Sequence, residues 1–142
     1  MSREITIVGG GLAGLSLGIG LRRHDVGVTI YEAGKYPRHR VCGEFICGVE
    51  KATLEALGIA GAFEKAAINA DSRWFYRGRP VLTKQLPVPA IGISRHALDH
   101  WLAKEFLRLG GNLNTNSRLK EDEVADEASV WTSGRQRHRD AS

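Results

Sequence analysis

The chain has 142 residues and a mass of 15.6 kDa, room for one domain. Its 42% hydrophobic and 25% charged residues are ordinary globular values and argue against a disordered, collagen-like or coiled-coil chain. A net charge of +4 suits a phosphate-bearing partner without demanding nucleic acid. No run reaches the roughly 18 apolar residues of a membrane helix, so no integral membrane segment is expected. The apolar stretch after Met1-Ser2-Arg3-Glu4 has no leader-type cleavage site. Two cysteines, Cys42 and Cys47, are too few for a disulfide framework, and the expected compartment is the cytoplasm. Glycine is the outlier: of 17, seven precede position 30, as if backbone there had to approach something closely.

Glu4 to Val8 reads as a buried strand, broken by Gly9-Gly10-Gly11. Leu12 to His24 has helical spacing, and Val26 to Tyr31 is a second β-rich run. Together they have the length and order of a βαβ unit. Gly34 to Gly43 is a loop with Arg38, His39 and Arg40. Val49 to Leu57 reads as a helix ended by Gly58. Ser72 to Tyr76 and Val81 to Gln85 read as strands around an Arg77-Gly78-Arg79-Pro80 turn, followed by an extended Leu86 to Ile93. The consecutive Trp74, Phe75 and Tyr76 are expected to give core on one face and an edge on the other. Ser94 is the expected N-cap of a helix stopped by Gly110-Gly111. Asn112 to Thr115 and Ser129 to Thr132 are further strands. Glu121 to Glu127 is acidic and solvated, and Arg135 to Arg139 is a basic tail.

Gly9-Gly10-Gly11-Leu12-Ala13-Gly14 is G-x-G-x-x-G between a strand and a helix, with an acid, Glu32, about 20 residues on. Gly9 permits the tight turn, Gly11 the approach of a pyrophosphate, and Gly14 the packing of helix on strand. The diphosphate would rest on the amides of the helix N-terminus, including Leu12 and Ala13. Glu32 would accept the ribose hydroxyls of an adenosine and repel a 2′-phosphate. Spacing alone leaves FAD and NAD both open. His96 and His100 read as surface residues. No metal ligand set is spaced for zinc, and the basic tail lacks the aromatic platform of a nucleic-acid site.

Ile7 to Gly14, Tyr31-Glu32-Ala33, Arg40-Val41-Cys42-Gly43-Glu44, and Ser94-Arg95 with Leu98-Asp99 and Leu102 together resemble the N-terminal part of the FAD-dependent monooxygenase family. That group includes p-hydroxybenzoate hydroxylase-like and geranylgeranyl reductase-like flavoproteins. The resemblance implies a Rossmann-like α/β FAD/NAD(P)-binding fold, incomplete in this chain, with a small β-rich insertion. On it, residues 1–142 form a partial FAD-binding domain and residues 121–142 a loosely packed tail. It further implies FAD as cofactor, NAD(P)H as electron donor and a small organic substrate. Gly9, Gly11, Leu12, Ala13, Gly14, Glu32, Arg40 and Arg95 would hold the cofactor, and Cys42 and Gly43 would lie near the flavin or substrate. No catalytic residue is assigned. The family's Gly-Asp and Asp-Gly pairs occur nowhere in the chain. An NAD-dependent oxidoreductase, or a non-catalytic fragment that keeps only the ADP-binding half-site, are the alternatives.

Overall fold

A computed structural model describes residues 4–40, 42, 44–124 and 128–134. Met1, Ser2, Arg3, Val41, Gly43, Glu127 and the basic tail lie outside the described residues. Strand β1 (Glu4–Val8) falls on the predicted run. Helix α1 (Leu12–Arg22) ends two residues before the predicted limit. Asp25, with φ of 57°, turns the chain into β2 (Gly27–Tyr31), a left-handed conformation that Asp tolerates better than most residues. Strand β6 (Asn112–Asn114) and strand β7 (Ser129–Trp131) complete a parallel sheet of order β6-β2-β1-β7. Of the residues expected to form a loose tail, Ser129–Trp131 thus pairs along β1.

The register places Ile5 beside Val28 and Ile7 beside Ile30. On that face Ile7, Val28 and Ile30 are buried against Leu15 and Ile19 of α1 and against Leu98, Leu102 and Phe106 of α3 (Arg95–Arg108). Gly18 makes the close approach possible. A Cβ there would stand 2.9 Å from both Ile30 and Phe106. Burying each of these large side chains contributes about 1.5–3 kcal/mol, so this layer is the chain's principal core.

The β-rich insertion lies between β2 and β6. It comprises β3 (Phe45–Ile46), helix α2 (Lys51–Leu57), β4 (Ala67–Tyr76) and β5 (Arg79–Gly92), with the antiparallel order β3-β5-β4. Gly58 ends α2 in the left-handed region, as its position predicts. The hairpin strands are longer than the sequence runs, because after an unpaired stretch that holds Pro87 and Pro89 the ladder resumes at Ala90 and runs to Gly92. Arg77 and Gly78 both have positive φ and join Tyr76 to Arg79 in a two-residue turn. The aromatic triplet departs from expectation: Trp74, Phe75 and Tyr76 are all more than 60% exposed. The outer hairpin stands clear of the α1–α3 core, so neither of its faces finds a packing layer among the described residues.

Candidate functional site

Strands β2 and β6 lie on one side of β1 and β7 on the other. The strand order therefore reverses at β1, and parallel α/β sheets bind ligands outside the carboxyl ends of their strands at such a point. The Gly9–Gly11 turn leaves β1 there. Its backbone is fixed on both sides, by Gly9 N–H to Tyr31 O at 2.8 Å and by Thr132 N–H to Val8 O at 2.8 Å. The Thr132 hydroxyl donates to Gly9 O at 2.6 Å.

Three of the turn's four fingerprint-region glycines are required by the protein itself. Gly9 has φ of 112°, and a Cβ on it would meet Thr132 backbone at 2.7 Å. A Cβ on Gly10 would strike Tyr36 and Glu32, and one on Gly14 would sit 1.9 Å from Gly9 O. Gly11 is different. Its φ of −81° is open to any residue, and a Cβ there would meet nothing within 4 Å. It is also the N-cap of α1, where no side chain caps the helix and no acid occupies the first turn. The first-turn amides of Leu12, Ala13 and Gly14 and the positive end of the helix dipole thus face a space left open by glycine.

Glu32 follows β2 and is only 4% exposed. Its N–H donates to Asn114 O and its C=O accepts from Ser117 N–H, both at 2.9 Å, which ties it to the exit of β6. Its carboxylate accepts from Gly10 N–H at 2.9 Å, Gly34 N–H at 2.8 Å and Arg38 Nη2 at 2.7 Å. The acid about 20 residues beyond the fingerprint thus clasps the glycine turn directly. Much of its acceptor capacity is engaged by the protein, and Arg38, a third exposed, is its outermost partner.

Arg40 and Arg95 converge on Asp99, which is fully buried on the second turn of α3. Arg95 donates to it through Nε at 2.9 Å and Nη2 at 3.0 Å. This fork raises the Arg95 pKa, the hydrogen bond to Asp99 being the largest cause. Arg40 Nε stands 3.0 Å from Asp99 Oδ2, and its Nη2 stands 3.5 Å from Glu32 Oε2. These are ion-pair distances, but the N–H directions are not aligned for hydrogen bonds. Arg40 Nε, Arg40 Nη2 and Arg38 Nε are buried without a hydrogen-bond partner. Ser94 occupies the N-cap of α3 as predicted, yet its side chain makes no cap bond. The Glu44 carboxylate accepts Arg95 N–H instead, at 3.3 Å.

Tyr36 closes the turn from above, its hydroxyl donating to Gly10 O. Its pKa is raised, first by burial and then by the Glu32 carboxylate. His96, expected at the surface, is half-buried and stacks on His39 with ring centroids 4.7 Å apart. Cys42 is exposed, and Glu44 N–H donates to its Sγ at 3.4 Å.

The structure brings Gly9, Gly11, Gly14 and Glu32 into one constellation and links Arg40 to it through Glu32. Arg95 joins through Asp99. Sequence reasoning did not assign roles to Tyr36, Thr132 or Asp99. For Asp99 a signal existed, its position four residues after Arg95 on one helix face. For Thr132, 118 residues beyond Gly14, no local pattern could reveal the contact.

Residues 7–43 match the family of NAD(P)-binding Rossmann-like domains. Over 102 residues, 70% of the chain, the sequence is 31% identical to 3-amino-4-hydroxybenzoate 2-monooxygenase PtmB3 of Streptomyces platensis, covering 25% of that protein. The structure superposes on 2-methyl-3-hydroxypyridine-5-carboxylic acid oxygenase with a TM-score of 0.71 at 22% identity, covering 82% of this chain and 32% of that one. Against the flavin-dependent monooxygenase PieE, solved with FAD and substrate, the TM-score is 0.69 at 20% identity, covering 82% of this chain and 24% of that one. The chain spans about a quarter to a third of the length of these proteins. Among the described residues no helix is long and apolar enough to cross a membrane.

Proposed function

We propose that this chain, whose Rossmann-like fold resembles that of flavin monooxygenases, binds FAD through the glycine turn and its arginine-rich rim. The carrying observation is Gly11: it alone of the four N-terminal turn glycines lacks a reason inside the protein, and it opens at an uncapped helix N-terminus. A diphosphate supplies the missing reason, because it needs close backbone approach and accepts from first-turn amides. The buried, unpartnered guanidinium N–H groups of Arg38 and Arg40 likewise fit an acceptor-rich anion.

Gly9 shapes the turn, Gly11 admits the diphosphate, Leu12, Ala13 and Gly14 present amides to it, and Glu32 receives the adenosine ribose. Arg40 and Arg95 supply positive charge at the rim. FAD when bound supplies two-electron redox chemistry, with NAD(P)H as reductant and a small organic molecule as substrate. The resemblance to monooxygenases such as PtmB3 supports oxygenation as the reaction class. We place the chain in the cytoplasm, in keeping with its two free cysteines.

The test is titration of the chain with FAD and, separately, with NAD, read by thermal protection and by flavin fluorescence. Protection by FAD is expected. Protection by NAD with indifference to FAD would overturn the proposal in favour of an NAD-dependent oxidoreductase. Protection by ADP alone would identify an adenosine half-site that does not hold the flavin.

A further inference from the structure

We propose that Asp99 is a positioning residue: it fixes the guanidinium groups of Arg40 and Arg95 as a pair for the diphosphate of the nucleotide. This rests on the nucleotide-binding proposal but concerns a residue to which that proposal gives no role. Asp99 is 0% exposed, and a carboxylate so buried requires paired, hydrogen-bonded partners. Those partners come from two separate elements, Arg40 from the loop after β2 and Arg95 from the first turn of α3. Among the described residues Asp99 thus ties the insertion-side helix to the rim of the glycine turn, and Arg40 carries the link on to Glu32.

The charge balance shows that the arrangement is not a closed ion-pair cluster. Three guanidinium groups, Arg38, Arg40 and Arg95, share two carboxylates, Glu32 and Asp99. Glu44, a third carboxylate, reaches only the backbone N–H of Arg95, so among the guanidinium groups and the carboxylates paired with them one positive charge is left over, and Arg38 Nε, Arg40 Nε and Arg40 Nη2 make no aligned hydrogen bond. A multidentate anion offers acceptor oxygens together with negative charge, whereas a neutral ligand can offer acceptors but not the charge. Asp99 engages Arg95 through Nε and Nη2, an aligned fork that sets the plane of the guanidinium. It holds Arg40 Nε at 3.0 Å as an ion pair without an aligned hydrogen bond.

The roles Asp99 can have predict different signs. If Asp99 only neutralises charge, removing it makes the rim more positive and tightens anion binding. If it only supports the fold, its loss weakens all ligands alike. Positioning predicts a selective loss for the diphosphate. Calorimetric titration of the full chain with ADP and with adenosine separates these. In the unaltered chain ADP is expected to bind more tightly than adenosine. In Asp99→Asn, which keeps the side-chain volume, the ADP-to-adenosine affinity ratio is expected to fall by about tenfold with adenosine unchanged. An unchanged ratio, or tighter ADP binding, overturns the proposal. Should that variant not fold, Arg95→Lys keeps the charge but loses the planar fork, and the same selective loss is expected. An unchanged ratio there overturns the proposal equally. Failure of the unaltered chain to bind either ligand removes the nucleotide reading and this proposal with it. Equal affinity for both removes the proposal while leaving an adenosine site.

Discussion

At the scale of single residues, the glycine fingerprint divides into positions the fold needs and a position it does not. Gly14→Ala puts a Cβ 1.9 Å from Gly9 O and 2.6 Å from Thr132 Oγ1, so backbone must shift. A loss of about 1–3 kcal/mol is expected, as for other overpacked sites. Gly11→Ala meets no atom and needs no unusual φ, so its cost in denaturant unfolding should not exceed about 1 kcal/mol, the scale of an N-cap change. On the proposal that Gly11 admits the diphosphate, FAD affinity should nonetheless fall by about tenfold or more. A Gly11→Ala chain that binds FAD normally would mean that this glycine does not serve a diphosphate. Tyr36 gives a second residue-level expectation. Burial and Glu32 raise its pKa, so the folded chain keeps the phenol proton at pH values where the unfolded chain, near its ordinary value of about 10, releases it. The unfolded state then binds fewer protons than the folded one, and stability falls as pH rises above about 10. Tyr36→Phe should be weaker by about 1 kcal/mol at neutral pH, from the lost hydrogen bond to Gly10 O. It should also lack this alkaline slope in urea midpoints measured against pH. Equal slopes in the two proteins would show that Tyr36 does not titrate as described.

At the scale of elements, legibility followed the range of the interactions that decide each structure. Strand β1 and the start of α1 fall where the sequence places them, because β-branched alternation and a glycine break are local signals. The short strands β6 and β7 were also legible, β6 from the Gly110-Gly111 stop before it despite its two asparagines, and β7 from Val130 and Trp131. The hairpin was legible in its turn, from Arg77-Gly78, but not in its length. Proline is tolerated at a bulge, and Pro87 and Pro89 fall in the unpaired stretch between Gln85 and Ala90. The site was legible as a glycine turn with a distant acid, and Glu32 does reach back to Gly10. What remained hidden was the web that holds it, Tyr36 on Gly10 O, Thr132 on Gly9 O and Asp99 between two arginines. Those contacts join residues from 4 to 123 positions apart, and single-sequence periodicity reports only the nearest of them.

At the scale of the whole molecule, the chain is unevenly packed. One side of the parallel sheet has a buried layer of Ile7, Leu15, Ile19, Ile30, Leu98, Leu102 and Phe106. The β4–β5 hairpin instead carries Ile68, Trp74, Phe75, Tyr76, Val81, Leu82 and Val88, each more than half exposed. Apolar groups gathered on one projecting element drive association, because burying them is favourable at roughly 25 cal/mol per Å². The 142-residue chain is therefore expected to associate as its concentration rises, through the hairpin rather than the nucleotide site. Trp74→Thr with Phe75→Thr tests this, since threonine keeps β propensity while removing the apolar area. Because both aromatics are about 62% exposed and contribute no core, unfolding stability should change by no more than about 0.5 kcal/mol per site. Light scattering across a concentration series should show the unaltered chain growing in mass and the variant remaining a monomer, with FAD binding retained in both. Association undiminished in the variant would place the sticky surface elsewhere, and a variant that unfolds would mean that the aromatics are packed after all.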